Sequence, residues 1–291
     1  ESEFLAQSTG SKVFGWVALT IICVITIFPI YWMLRTGLST TRLLFEDTSS
    51  LLPSHFTTGG FQRVLGIASL DQAIAEGGSG ASVNFGQAFL NSVLLSTGIT
   101  FFQTAFSAAA AYAFSVLQWK GRDKVFFVFI IALTVPGIFL LIPNFLLIRD
   151  LGLINTLLGI ALPQILMSPF AIFFLRQFFL GTNLSIVEAA RIDGANHFRI
   201  FRQIVVPMAW PQIITLFILQ FIASWNDFLW PFYVGNGAPE STLLTVGLGI
   251  FKSQTPQGSP DWSGLMAGAL VAAVPMILLM IIAGKKIVGS I

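Results

Sequence analysis

The sequence predicts an all-α, polytopic membrane protein with six transmembrane helices in one domain over residues 1–291, both termini cytoplasmic. Three observations predict it. Charged residues make up 10% of the 291 positions, against about 25% in soluble proteins, too few to cover the surface of a soluble domain of this size. Hydrophobic residues reach 55% and Phe alone numbers 29, with a mean hydropathy of +0.83. The apolar residues also gather into stretches of the ~20 residues that cross a hydrocarbon core of about 30 Å as a helix.

Six stretches qualify: 13–34, 92–117, 125–148, 157–175, 212–234 and 264–284. The first is too long for a cleaved signal peptide and no small-residue cleavage site follows it. With the N-terminus inside, ten basic residues fall on the cytoplasmic side and five outside. Lys120, Arg122 and Lys124 in one short loop, and Lys285-Lys286 after the last stretch, dominate the bias that sets orientation. Segments 35–91 and 235–263 are then outer loops, and 176–211 is cytoplasmic. Residues 77–82 form a Gly/Ser-rich stretch, expected to hang loose or to meet a partner outside, the loose reading being preferred. The second outer loop, with Gly237, Pro239, Pro256, Gly258 and Pro260, reads as exposed.

Five of the six stretches contain proline (Pro29, Pro136, Pro143, Pro163, Pro169, Pro231 and Pro275), which removes a helix hydrogen bond and favours a kink. The second has none, but carries the small-residue run Ser107-Ala108-Ala109-Ala110-Ala111-Tyr112-Ala113, suited to close helix approach.

Several chemistries are disfavoured. The single cysteine, Cys23, gives neither a disulfide framework nor a thiolate cluster. The net charge of +2 gives no footprint for nucleic acid. His55 and His197 lie in expected loops without evident partners, and no metal site or activated nucleophile is legible. No Gly-x-x-x-x-Gly-Lys-Ser/Thr phosphate loop is present, so the chain is not expected to hydrolyse ATP itself. Ion-coupled transporters usually carry several intramembrane ionisable groups, and only Asp227 falls well inside a stretch.

The cytoplasmic segment 185–211 reads SIVEAARIDGANHFRIFRQIVVPMAWP. Ser185 and Glu188 have capping-box spacing. Asp193-Gly194 breaks the helix after about two turns. A second stretch then places Phe198, Phe201, Ile204 and Val205 at helical spacing, and Pro207 ends it. This helix-turn-helix is either an amphipathic element on the inner leaflet or a docking element.

The segment resembles the EAA loop of ABC importer permeases: Glu-Ala-Ala, three residues, Gly, nine residues, Ile, one residue, Leu-Pro. Here Glu188-Ala189-Ala190 precedes Gly194, Ile204 and Val206-Pro207, with Val206 in place of Leu. Asp193-Gly194-Ala195 and Pro211 point to the carbohydrate branch. Asn91-Ser92, Ala110-Ala111-Tyr112-Ala113-Phe114, Leu151-Gly152-Leu153-Ile154-Asn155-Thr156, Leu162-Pro163, Trp225-Asn226-Asp227-Phe228-Leu229-Trp230-Pro231 and Met266-Ala267-Gly268 extend it over most of the chain. Together they resemble the smaller, MalG-like permease of maltose-type sugar importers. Such relatives often continue beyond Ile287-Val288-x-Gly, where this sequence stops at Ile291.

The resemblance implies a heterodimer with a second permease, two ATP-hydrolysing subunits that hold ATP and Mg, and an extracytoplasmic substrate-binding protein, in the plasma membrane of a bacterium or archaeon. It implies no cofactor in this chain. Glu188, Ala189, Ala190, Asp193, Gly194 and Ala195 would dock into the ATPase, with Phe198, Ile204 and Pro207 completing the element. Part of 235–263 would enter the open binding protein.

Asp227 lies within the fifth stretch, where a carboxylate costs roughly 2.5–3.5 kcal/mol on insertion scales. It is expected to face the bundle interior or a water-filled cavity. Asn226 and Asp227 then line a translocation path with Trp225 or Trp230 stacking on a sugar ring, or form a hydrogen-bond network that steadies the kink at Pro231. The leading expectation is a carbohydrate importer permease. The rivals are a glycerol-phosphate importer permease of the same family, a secondary transporter or channel without ATPase partners, and, last, an intramembrane enzyme.

Overall fold

The structure is a computed structural model that describes residues 9–44, 50–80, 84–182, 184–235, 237–253 and 259–288. Its α-helices are α1 (Thr9–Gly37), α2 (Gly59–Val64), α3 (Leu70–Ala75), α4 (Phe85–Ser115), α5 (Arg122–Leu133), α6 (Leu141–Asp150), α7 (Leu157–Ala161) and α8 (Pro169–Leu180). They continue as α9 (Leu184–Ile192), α10 (His197–Ile200), α11 (Val206–Met208), α12 (Trp210–Trp225), α13 (Leu229–Gly235), α14 (Leu244–Leu248), α15 (Ile250–Ser253) and α16 (Trp262–Val288). Among the described residues there is no strand, only an isolated bridge between Ser39 and Phe56.

The all-helical membrane class holds. Three helical segments are each long and apolar enough to cross a bilayer: Lys12–Gly37, Phe85–Ser115 and Trp262–Ile281. Three bent pairs qualify only together: Arg122–Leu133 with Gly137–Asp150 (95°), Pro169–Leu180 with Ser185–Ile192 (82°) and His197–Met208 with Trp210–Trp225 (80°). The described residues therefore offer three membrane-competent helices, or up to six.

Three expected spans are not continuous. The stretch 125–148 breaks at 134–136. The stretch 157–175 is α7, a non-helical link at 162–168, and α8; the stretch 212–234 breaks at 226–228. The prolines explain part of this. Pro136 and Pro163 sit in breaks, while Pro143, Pro169 and Pro231 occupy first helical turns, where a missing N–H costs nothing. Pro29 and Pro275 lie inside uninterrupted helices. The second expected span begins earlier than read, at Phe85, because the Asn84 side chain accepts from Gln87 N and caps the helix.

The chain forms two compact units. The first comprises Glu1–Val83 and Leu248–Val274. Its α1 exposes apolar side chains all round, with none of its most apolar window buried. At the C-terminal end of α1, Arg35 is buried, its Nε donating to Leu52 O at 3.1 Å and its guanidinium to Ser54 Oγ at 3.0 Å. Beyond it lies a buried charge cluster. Arg63 Nε donates to Asp261 Oδ2 at 2.8 Å and Nη1 to Glu76 Oε2 at 2.7 Å. Thr41 Oγ1 and the backbone N–H groups of Ser79 and Gly264 also donate to the Asp261 carboxylate. Asp261 is fully buried, and the cluster ties both expected outer loops to the start of α16.

That cluster overturns two expectations. Gly77, Gly78 and Ser79 are buried rather than loose, and a Cβ on Gly78 would fall 2.5 Å from the Arg63 guanidinium carbon. Residues 81–82 lie outside the described residues. The second outer loop is likewise not simply exposed, since it holds α14 and α15 and buries Phe251, Asp261 and Ser263.

The second unit comprises Asn84–Gly247 and Pro275–Ile291, and α4 runs through its middle. The small-residue run packs, as expected of it: Ser107, Ala108 and Ala111 are buried, and Ala108 and Ala111 join Ala171, Leu175, Ile213 and Leu216 of α8 and α12 in one core. A second core joins Leu95 and Ile99 of α4 with Ile148, Ile160, Trp230 and Val234.

Removing one partner from a buried ion pair costs about 3–5 kcal/mol. Asp261→Ala is therefore expected to lower the unfolding temperature of the detergent-solubilised protein sharply. An unchanged melting curve would show that the cluster does not hold the first unit.

Candidate functional site

Two sites emerge within the second unit. The first is the segment 184–208. Ser185 lies inside α9 rather than capping it, so the capping-box reading of Ser185 and Glu188 fails by position. The break at Asp193-Gly194 is as expected, and its form is specific. Ala195 N donates to Ala190 O at 2.9 Å and Gly194 N to Arg191 O at 3.0 Å, with Gly194 at φ +81°. This is the Schellman pattern, in which a left-handed residue closes the helix and small apolar residues meet across it, here Ala190 and Ala195. Asn196 then caps α10, its Oδ1 accepting from Arg199 N at 2.8 Å, a role the sequence reading missed.

After α10 the chain makes a π-helical turn, Phe201–Val205. Val187, Ile200, Val205 and Ala209 are buried in the α4–α8–α12 core, with Ala190, Ala195, Phe201 and Ile204 packed against it. Glu188, Ala189, Asp193, Gly194 and Pro207 are exposed. Phe198 departs from the apolar stripe expected of it and is 68% exposed. Ile200 takes the buried place, and a residue two positions away points about 200° around the helix. The candidate docking residues thus divide into an inner set held by the core (Ala190, Ala195, Ile204) and an outer set facing away from it.

The second site is a cavity of about 430 Å³. Gln103 of α4, Gln164 and Ser168 of the 162–168 link, Phe170 of α8, Gln220 of α12 and Asp227 of the 226–228 break contribute to its wall. Its polar residues are joined. Thr104 Oγ1 donates to Gln220 Oε1 at 2.7 Å, Gln220 Nε2 to Gln103 Oε1 at 2.6 Å, and Gln103 Nε2 to the Gln164 carbonyl at 2.7 Å. Gln164 Nε2 donates to Asp227 Oδ2 at 3.3 Å. Asp227 immediately precedes Phe228 and α13, with the N–H groups of Phe228, Leu229 and Trp230 near its carboxylate.

The four span-five candidates are not brought together. Trp225 is buried, stacked on Phe221 and edge-on to Phe89, with ring centroids 5.9 Å apart in each pair. Asn226 is exposed, its Nδ2 donating to Ile222 O in its own helix. Trp230 is buried and its Nε1 donates to Ile160 O at 3.0 Å. Asp227 alone of the four lines the cavity. The sequence reading missed Gln103, Gln164 and Gln220 because it weighed only ionisable groups. A buried amide without a partner is also expensive, and that signal marks all three.

The family model for the "Binding-protein-dependent transport system inner membrane component" matches residues 103–287. The chain belongs to that family. Relatives agree along nearly the whole length. The arabinooligosaccharides transport system permease protein AraQ of Halalkalibacterium halodurans is 31% identical, covering 93% of this chain and 92% of its own. The sn-glycerol-3-phosphate transport system permease protein UgpE of Brucella abortus is 30% identical, covering 96% and 95%. The diacetylchitobiose uptake system permease protein NgcG of Streptomyces coelicolor is 30% identical, covering 92% and 83%. A chain from the crystal structure of a bacterial ABC transporter involved in the import of the acidic polysaccharide alginate has the same fold, with a TM-score of 0.76 at 24% identity over 96% of this chain and 98% of that one. Members of this family are transport subunits, and the chain is a multi-pass membrane permease.

Trp230→Phe keeps the ring in its core but leaves the Ile160 carbonyl without its donor. A buried carbonyl left so costs about 1–3 kcal/mol. The variant is expected to unfold at a lower temperature in detergent while retaining its helical circular dichroism, and an unchanged temperature would refute the pairing.

Proposed function

We propose that this chain is one permease of an ATP-driven carbohydrate importer. It pairs with a second permease, crosses a bacterial or archaeal plasma membrane six times with both termini cytoplasmic, and couples to two ATP-hydrolysing subunits through 184–208. An extracytoplasmic binding protein delivers the substrate, and ATP and Mg are held by the ATPases. The observation that carries this reading is the divided surface of the segment. Ala190 and Ala195 close a rigid turn against the core, while Glu188, Ala189, Asp193 and Gly194 face outward with small or acidic side chains, and Phe198 and Ile192 stand exposed beside them.

Arg191, Arg199 and Arg202 are exposed as well, and basic residues also suit the membrane surface, so the docking reading rests on the small outward residues Ala189 and Gly194 and on the acidic Glu188 and Asp193 set among them. Because the turn is anchored in the α4–α8–α12 core, a push on its outer face moves the helices that wall the cavity. Transport then proceeds by rocking of two permeases about a shared path, with no covalent chemistry in this chain. Asp227 lines that path, with Trp225, Asn226 and Trp230 stabilising the break beside it. The names of the AraQ and NgcG relatives support an oligosaccharide as cargo. The UgpE relative keeps a second reading open, a glycerol-phosphate importer permease of the same family.

A Cβ on Gly194 would meet nothing within 4 Å inside the chain, but at φ +81° any side chain strains the turn, so Gly194→Ala is the matched control that carries the strain without the bulk and charge of Arg. Asn tolerates the left-handed conformation and is expected to preserve the complex. Gly194→Arg adds bulk and charge at the docking face, and a penalty of about 1.4 kcal/mol or more cuts ATPase recovery at least about tenfold. The measurement is affinity purification from detergent-solubilised membranes with mass spectrometry of what copurifies. Equal ATPase recovery with Arg and wild type, or a wild-type chain purifying alone, would overturn the coupling role.

A further inference from the structure

We infer that Gln103, Gln164, Gln220 and Asp227 form a subsite in this chain for an uncharged, hydroxyl-rich part of the cargo. The inference deepens the carbohydrate-importer reading and rests on it.

Four observations converge. The cavity's volume of about 430 Å³ falls within the 300–1,000 Å³ typical of ligand sites. Its wall is built where two expected spans lose their helices, at 162–168 and 226–228. Non-helical backbone at membrane depth is tolerated where it is buried in protein or lines a water-filled cavity, and discontinuous helices commonly frame a transporter's binding site. The polar groups match hydroxyls. Each amide offers two N–H donors and a carbonyl oxygen, and the chain Thr104–Gln220–Gln103–Gln164 occupies only part of that capacity. Gln164 Oε1 has no partner among the described residues. The Asp227 carboxylate can accept from vicinal hydroxyls, and charge-assisted bonds of that kind are the stronger ones. Phe170, 46% exposed, adds an aromatic face for the C–H side of a sugar ring.

The same wall discriminates. No Lys, Arg or His is among its lining residues, and its one charge is negative. A phosphorylated or carboxylated solute would meet Asp227 with like charge and no compensating cation, whereas a neutral sugar would not.

The test uses the assembled importer in cells and in membranes, with exposed Cys23 replaced by Ser. Ala223→Cys places a thiol on the cavity wall. A membrane-impermeant thiol reagent is expected to label it, and a neutral oligosaccharide (arabinotriose, maltotriose or diacetylchitobiose, whichever is taken up) to slow that labelling about tenfold, the worth of one good hydrogen bond to a charged group. Glycerol 3-phosphate is expected to leave labelling unchanged. Asp227→Asn keeps the size of the side chain and an oxygen that can accept from Gln164 but loses the charge, and is expected to lower oligosaccharide uptake about tenfold with unchanged recovery of the partner subunits. Three results would each overturn the subsite while leaving the importer reading intact: a thiol the reagent never reaches, as when the partner permease covers the cavity; equal protection by glycerol 3-phosphate; or wild-type uptake by Asp227→Asn. Failure of the wild-type importer to take up any of the neutral sugars would overturn the carbohydrate reading and the subsite with it.

Discussion

A main-chain amide or carbonyl left bare in hydrocarbon costs several kcal/mol, and that cost organises the second unit. Its helices break inside three stretches apolar enough to lie in the bilayer, and the breaks at 162–168 and 226–228 free backbone groups that lipid cannot satisfy. Side chains satisfy them instead. Gln103 Nε2 reaches the Gln164 carbonyl, Ser107 Oγ accepts from Ser168 N, Trp230 Nε1 reaches the Ile160 carbonyl, and Thr245 Oγ1 reaches the Asp227 carbonyl. Two of these partners, Gln103 and Ser107, sit on α4, the long unbroken helix. It acts as the template against which the interrupted ones are set, and its small residues let them approach closely enough for those bonds to form.

The first unit solves a different problem with the same economy of partners. Arg63 and Asp261 are both buried, and each would be unaffordable alone. Their pairing is supplemented by Glu76, Thr41 and two backbone N–H groups, so the carboxylate's acceptor capacity is well used. The close approach this needs explains the glycines around it. A Cβ on Gly60 would stand 2.5 Å from Ser263 Oγ and 2.7 Å from the Gly37 carbonyl, so even alanine has no room there.

Much of this was legible in the sequence, and for definable reasons. Membrane class followed from charge depletion, which no soluble fold of this size can tolerate. The helix-turn-helix at 184–208 followed from Gly194 and from the spacing of Phe201, Ile204 and Val205. The breaks were not legible because hydropathy measures composition over about twenty residues and is blind to a few non-helical ones. Proline marked them only in part, since Pro136 and Pro163 sit in breaks but other prolines do not. Pro29 and Pro275 interrupt nothing, while the 226–228 break contains no proline and stands ahead of Pro231. The tryptophans of 225–231 misdirected the reading, since their rings are consumed by packing and by the Ile160 carbonyl. The glutamines of α4, the 162–168 link and α12 passed unnoticed because amides carry no charge to draw attention. Phe198 was misplaced because a fixed 3.6-residue period aligned it with Phe201, Ile204 and Val205, whereas the π-helical turn at Phe201–Val205 shifts those residues relative to the α-helical turn that holds Phe198.

That wide turn at Phe201–Val205 has an implication for how the segment tolerates change in length. A π-turn holds one residue more than the α-helical ladder requires, and it separates two stretches with different obligations. Before it, the chain presents Phe198 and Arg199 outward; its last residue, Val205, and Ala209 beyond it are locked in the core. The surplus residue works as a phase adjuster, letting the outward face be set independently of the inward one. Deleting a single residue there would restore a regular ladder yet swing one side by about 100° relative to the other, so that either the core or the docking face would lose its register. In this segment the number of residues between the two faces is as much a part of the design as their identity.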